Sequence, residues 1–385
     1  MLKLLLEKNS MGYTDKKKRV AWLTEPSFID TDIHAIKKLC HIYELDLYLL
    51  NKYNNHIDYL DELNRLATDN KIHFSIVNID LRNSDPRVCI KYKGILKSIS
   101  RSKPDLVYST MLGVPYFVPM MRMWLRSCPA IIAIHNVHVP KGAHRYLLQL
   151  IYTTLTIKFF NNFITFSKSQ RDYLKVNYKK KNSYMVQFML KNYGEASVHK
   201  TGDEIVFLNF GNIRDYKRID TLILAAQDAY SECGVRFKVI IAGACDEWEK
   251  YAKLVKYPEL FDLRIGRVDE KDIPNLFAVS DFFVAPYQDI AQSGSALVAF
   301  TYDTPIIASD LPAFNDYVIN AETGYRMKPA DKDSLKEIMV NILKSKNENY
   351  NCMVSNIKKL KKSKFSEEAV IQQYVDIFEK VMKAK

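Results

Sequence analysis

A chain of 385 residues that is 48% hydrophobic is too long for one ordinary core and too apolar to stay disordered, which points to two globular domains. Its six cysteines lie far apart with no CxxC spacing, so neither a disulfide framework nor a tetrahedral zinc site is expected, and the thiols read as reduced. The net charge of +12 is uneven: residues 1–200 hold 31 Lys and Arg against 16 Asp and Glu, whereas residues 201–385 hold 25 against 28, so the first half is the one that attracts anions.

The apolar run Leu4 to Leu6 is broken by Lys3, Glu7 and Lys8 and is too short for a secretory signal. The richest later stretch, Tyr146 to Phe160, carries Gln149 and Lys158 and falls short of the roughly 20 apolar residues of a membrane span. The expected location is the cytoplasm, free or peripheral at the inner face of the membrane. From residue 18 onward, short β-branched and aromatic runs alternate with amphipathic stretches of helical length, the pattern of βαβ units around a parallel sheet. Strands are predicted at Arg19–Thr24, Leu45–Leu50, Ile72–Val77, Leu106–Ser109, Ala130–His135, Phe163–Phe166 and Tyr184–Phe188. A polar interruption from Lys191 to Gly202 then separates a second series, at Glu204–Phe210, Phe237–Ala242, Leu263–Ile265, Phe282–Ala285 and Pro305–Ala308. The expectation is an α/β chain with two Rossmann-like domains, 1–195 and 196–365, followed by a helix over 366–385 that folds back on the first domain.

Two strand-to-helix corners of the second series carry chemistry. The first, Phe210 to Asp220, offers Gly211 for a tight turn and Arg214 and Lys217 beside a helix start, where a diphosphate would meet positive charge; these cations could equally be solvated surface residues. The second, Ala285 to Phe300, offers Ser293 or Ser295 as a helix cap and Gly294 as a place where peptide N–H groups approach a phosphate closely, or is simply a capped turn. In the first half, His135 ends an apolar strand and leads into Asn136-Val137-His138, with His144 beyond. An imidazole there can hydrogen-bond a hydroxyl or an anionic oxygen of a ligand, though a lone histidine at a strand end is more often structural. Asp30-Thr31-Asp32 has the spacing of a DxD metal site, but acids at the start of a helix explain it more simply, and no metal site is expected.

Phe210 to Asp220, Gly243, Gly266 to Asp269, Asp281 to Tyr287, Gln292-Ser293-Gly294, Thr304 to Ser309 and Gly324-Tyr325 together resemble, in order and spacing over roughly residues 204–345, the C-terminal domain of glycosyltransferase family 4. In the first 200 residues the resemblance rests mainly on Ala133-Ile134-His135-Asn136. It implies a GT-B fold, two Rossmann-like domains facing each other across a cleft, and a retaining enzyme with no tightly bound cofactor whose donor is a nucleotide sugar, UDP- or GDP-linked. Carried over, the donor-phosphate lysine falls on Lys217 and the glycine-rich turn on Ser293 and Gly294, with Gly211, Asn212, Arg214, Gly243, Arg267, Gln292 and Ser295 as further donor contacts. The active-site histidine falls on His135, with Asn136 and His138 towards the acceptor.

The sequence also departs from the family. Asn212 stands where an arginine is usual, which leaves Arg214 to take its role. Ile290 and Val298 occupy the places of two glutamates separated by seven intervening residues, so that Gln292 or Asp289 would have to substitute. Pro26-Ser27-Phe28-Ile29 replaces a glycine-rich loop. The implied function is transfer of a hexosyl group to a glycan or lipid-linked acceptor in polysaccharide synthesis. A nucleotide-sugar epimerase of the same fold and a catalytically silent donor-binding subunit are the alternatives. Tyr116 to Arg126 and Lys179 to Lys181 fit contact with an anionic membrane surface or a lipid diphosphate, or else a buried crossover helix and a solvated loop. No reading module for nucleic acid accompanies the basic residues.

Overall fold

The computed structural model describes residues 17–52, 56–82, 85–110, 116–139, 146–290, 292–345 and 348–384. The chain divides into two compact units, one of residues 1–189 with 367–385 and the other of residues 190–366. In the first, the order is β1 (Arg19–Thr24), α1 (Ile29–Leu39), β2 (Glu44–Lys52), α2 (Leu60–Thr68), β3 (Ile72–Ile79), α3 (Val88–Ser102), β4 (Leu106–Ser109), α4 (Phe117–Trp124), β5 (Ala130–Ala133), α5 (Tyr146–Phe159), β6 (Asn162–Thr165), α6 (Lys168–Asn177) and β7 (Asn182–Met185). All pairings in its sheet are parallel, in the order β3-β2-β1-β4-β5-β6-β7.

The second unit runs β8 (Ile205–Phe210), α7 (Ile219–Cys233), β9 (Phe237–Gly243), α8 (Glu249–Ala252), β10 (Phe261–Ile265), α9 (Ile273–Ala278), β11 (Phe282–Ala285), α10 (Gly294–Thr301), β12 (Ile306–Ser309), β13 (Gly324–Met327), α11 (Lys332–Lys344) and α12 (Tyr350–Leu360). Its parallel sheet has the order β10-β9-β8-β11-β12-β13. The last helix, α13 (Glu367–Lys383), belongs to the first unit.

Strands β5, β6 and β7 end short of the expected residues. β5 stops at Ala133, after which a last bond from Ile134 N–H to Ile164 O (2.8 Å) releases the chain, so His135 stands in the loop beyond the strand. β6 ends at Thr165, and β7 ends at Met185 because the Gln187 N–H turns to the Gln373 side chain of α13 (2.8 Å). β13 carries no long apolar run to announce it; Gly324 lets it lie against β12, since a Cβ there would strike the Ile306 backbone.

Side-chain alternation along β1 divides the core of the first unit. Val20 and Trp22 face α1 and α13, where Ile33, Ile36, Val370, Tyr374 and Phe378 cover them, whereas Ala21 and Leu23 face Tyr92, Leu96, Phe117 and Met121 of α3 and α4. Trp22 lies 4.0 Å from Tyr108 and 6.4 Å from Phe378, ring centre to ring centre. Asp32 is buried at 1% exposure beside these rings. It does not cap α1: Trp22 Nε1 donates to its Oδ2 at 3.1 Å, and the Thr110 hydroxyl, itself bonded to Thr24 Oγ1 at 2.9 Å, lies 3.5 Å from the same oxygen. Burial pushes the carboxyl up to about 7, against the bonds from Thr24 and Trp22.

Between about pH 4 and 7 the folded protein therefore keeps a proton on Asp32 that the unfolded chain has released, so this contribution to stability is complete in acid and is lost as the pH rises through about 7. Asp32→Asn, neutral at every pH, should flatten that slope and melt above the parent at neutral pH and beyond. Melting curves followed by circular dichroism across the range check this; parallel slopes for the two proteins would refute it.

Candidate functional site

Where the strand order of an open parallel sheet reverses, the loops leaving the two central strands diverge and open a crevice at their carboxyl ends. In the second unit the reversal lies between β8 and β11, and the loops leaving these strands are the two corners picked out by their glycine, serine and lysine.

Gly211 follows β8 with φ of +105°, a conformation glycine adopts without strain. A Cβ on it would collide with Ser295 Oγ and stand 3.2 Å from Lys217 Nζ, so side chains from both corners border one small space. Gly243, at the end of β9 with φ of +154°, backs onto this turn, and a Cβ there would strike the Gly211 carbonyl. The Gln288 N–H donates to Tyr216 O at 2.8 Å and ties the corners together.

Lys217 closes a short 3₁₀ turn, Asp215–Lys217, just before α7. It is only 6% exposed, with Nζ 5.8 Å from the centre of the buried Tyr287 ring. Burial, with a smaller contribution from Arg214, lowers its pKa to about 8, and among the described residues no carboxylate pairs with it. Ser293 caps α10 by accepting from the Ala296 N–H at 3.2 Å. The N–H groups of Gly294 and Ser295, in the first turn, have no acceptor within the helix, and the space beside Gly294 is open. An ammonium, a helix N-terminus and hydroxyl groups thus meet at one place, which suits a phosphate.

The other donor candidates are placed less centrally. Asn212 is exposed, and Arg214 holds Asp246 at 2.7 Å in an exposed pair. Arg218 is engaged by Asp220, and Asp215 by Lys250 and Tyr251. Gln292, next to the Ser293 cap, is half-buried. Arg267 lies beyond β10, where it lines a cavity of about 700 Å³ with Leu263, Gly266, Asp272, Asn275 and Leu276. The Gly266 N–H donates to Gly243 O at 3.1 Å, so this cavity follows the strand ends from Gly211 through Gly243. Val298 is buried in α10 and Ile290 half-buried, so no carboxylate stands at either place.

In the first unit, His135 stacks under Phe28 at 4.5 Å and lies 4.6 Å from Phe166 and 5.6 Å from Phe188. Burial among these rings lowers its pKa to about 4, so the imidazole is neutral at pH 7. The following loop is held by Gln170 of α6, whose Oε1 accepts from the Val137 and His138 N–H groups at 2.8 and 2.9 Å. Asn136 is half-buried, and His138 is exposed with its ring 5.1 Å from Tyr173. His144 lies outside the described residues. Phe28, Gln170 and Tyr287 are parts of these sites that sequence reasoning missed; Phe28 alone had a signal, as the bulky residue in place of a glycine-rich loop.

The two parallel sheets, of seven and six strands with helices between them, are those of a GT-B glycosyltransferase fold. Residues 195–360, nearly all of the second unit, match the family described as Glycosyl transferases group 1. Similar solved structures include a sucrose-phosphate synthase from Thermosynechococcus elongatus, with 14% identity over 96% of this chain and 100% of that one and a TM-score of 0.70. A glycosyltransferase from Rickettsia africae gives 13% identity, 96% and 100% coverage and a TM-score of 0.71. HepE of Anabaena, in complex with UDP and glucose, gives 13% identity, 94% and 100% coverage and a TM-score of 0.68. No curated protein matches the sequence.

Because Phe28 covers His135, Phe28→Ala should let water reach the ring and raise its pKa from about 4 towards the ordinary 6.5. An NMR titration of the histidine ring signals measures this; an unmoved value would show that Phe28 does not shield the imidazole.

Proposed function

We propose that this protein is a glycosyltransferase that takes a hexosyl group from a nucleoside diphosphate sugar and passes it, with retention of configuration, to a glycan or lipid-linked acceptor. The observation that carries the reading is the common space bordered by Gly211, Lys217 and Ser295 where the second sheet reverses. Its lack of a bound carboxylate leaves the Lys217 ammonium ready for a phosphate, and Arg214 needs only to give up a solvent-exposed ion pair, which contributes little. The N–H groups at the start of α10 supply donors fixed before the substrate arrives. Neighbouring strand ends are about 4.8 Å apart, so the row Gly211, Gly243, Gly266 leads from the diphosphate to a nucleoside over the cavity beside Arg267, with Asn212 and Gln292 at the edges. HepE, of the same fold, is held with UDP and with UDP-glucose, which favours a uridine donor over a guanosine one.

In this reading Lys217 carries the catalytic load: as the glycosidic bond lengthens, charge grows on the departing diphosphate, and a desolvated ammonium interacts with it more strongly than a hydrated one. A donor phosphate oxygen receives the acceptor proton. His135, being neutral, orients a sugar hydroxyl by hydrogen bonding and does not act as a cation; Asn136 and His138 meet the acceptor. The missing carboxylates at Ile290 and Val298 favour a second reading, a subunit that binds the donor without turning it over.

Lys217→Gln should lower kcat by roughly 10²–10³-fold, measured as nucleoside diphosphate released from UDP-glucose, UDP-N-acetylglucosamine or GDP-mannose. UDP at about 100 times its Kd should stabilise the parent by about 2.7 kcal/mol. Donor affinity should decline as the pH rises past about 8, where the free lysine loses its proton. Stabilisation without release supports the silent subunit; neither stabilisation nor release refutes both readings.

A further inference from the structure

Helix α5 is apolar along most of its length, yet its first two turns face water. Leu147 is 70% exposed, Leu148 44%, Leu150 40% and Ile151 52%, whereas Thr153, Thr156, Ile157 and Phe160 are buried on the opposite side. At 100° per residue, Leu147, Ile151, Thr154 and Lys158 form one outward stripe, with Leu148 and Leu150 flanking its apolar end. A surface helix of a globular protein carries the reverse pattern, and contiguous exposed apolar side chains mark a surface that something else covers.

The charges around the helix indicate what that is. Residues 116–182 contain 11 Lys and Arg and a single acid, Asp172, which Arg171 engages at 2.9 Å. Arg122, Arg126, Lys158, Lys175, Lys179 and Lys180 take part in no ion pair among the described residues, and Met123 of α4, 67% exposed, extends the apolar surface beside Arg122. The helix lacks the length for a span, and no helix among the described residues is long and apolar enough to cross a membrane. An apolar stripe ringed by cations suits the headgroup and acyl boundary of an anionic bilayer; a protein partner would require an acidic rim around an apolar groove.

We infer that the first two turns of α5, with the cations of α4 and α6, form a docking surface for an anionic lipid bilayer. In a parallel βαβ unit the helix starts at the carboxyl edge of its preceding strand, so the exposed leucines lie on the same edge of the first sheet as His135. Docking there brings that edge to the headgroup plane, where a lipid-anchored acceptor would be presented. The surface stands on exposure and charge alone and does not depend on the donor reading.

The full chain should cosediment with vesicles of equimolar phosphatidylcholine and phosphatidylglycerol but remain in the supernatant with phosphatidylcholine alone, and binding should weaken as sodium chloride is raised. The double substitution Leu147→Ser with Ile151→Ser should cut vesicle affinity roughly a hundredfold while leaving the melting temperature and its rise with UDP unchanged. The inference is overturned if the parent stays in the supernatant with both vesicles, if the double variant binds as well as the parent, or if sedimentation velocity shows a dimer that the double variant converts to monomer, which would make the stripe a contact between two copies. Should the double variant not fold, Leu148→Ser with Leu150→Ser is read in the same way.

Discussion

The constraint on which the second unit turns is an ammonium group, that of Lys217, held nearly out of water with no counter-charge among the described residues. Charge buried in this way is costly, and the lowered pKa of Lys217 expresses the cost. The fold sustains it through backbone geometry: Gly243 backs so closely onto Gly211 that a Cβ there would strike the Gly211 carbonyl, and Gly211, lacking a Cβ of its own, leaves the space that Lys217 and Ser295 border. A larger residue at either glycine would push the corners apart and admit water. On the proposed reading, the same desolvation that makes Lys217 expensive in the free protein strengthens its interaction with a donor diphosphate, so the local cost and the proposed binding have one cause.

Two polar groups packed among aromatic rings in the first unit follow a different rule. Asp32 and His135 are both driven towards their neutral forms by surrounding aromatic rings, and neither has a charged partner near enough to reverse this. At neutral pH the imidazole is neutral and the Asp32 carboxyl only about half ionised, so neither of these two groups supplies a full fixed charge. Among the described residues, the cations of α4, α5 and α6 lie on the outside of the unit.

Features set by near neighbours in the chain could be read from the sequence. The βαβ alternation gave both sheets because parallel strands buried on two faces are continuous apolar runs, and the two corners were legible because glycine, serine and lysine at a strand-to-helix junction have few other uses together. What stayed hidden depends on partners far away in sequence. Asp32 looks like an acid at a helix start until Trp22, Thr110 and Tyr374 close over it. Strand β5 seemed to run through His135 because Ile134 continues its apolar run, but its ladder partner at Ile164 is the last one available. The outward face of α5 leaves no mark in the sequence, because hydropathy cannot tell an inward from an outward apolar face when the whole helix is apolar. Phe28 reached His135 through a loop whose path no local pattern fixes.

The apolar residues at 290 and 298 bear on how such a site could discriminate. A pocket that hydrogen-bonds a hydroxyl rejects an analogue lacking it by 10⁴–10⁵, whereas apolar contacts separate substrates by only about 10–200-fold. With Ile290 and the buried Val298 at these places, the second unit has no carboxylate there to count hydroxyl groups. On the proposed reading, donor affinity comes mostly from the diphosphate, and selectivity among sugars passes to peptide groups of the α10 corner and to the partly exposed His135. A neutral, ring-packed histidine is suited to that task, because an imidazole that cannot take up a proton offers one donor and one acceptor in fixed directions and does not reward an anionic competitor.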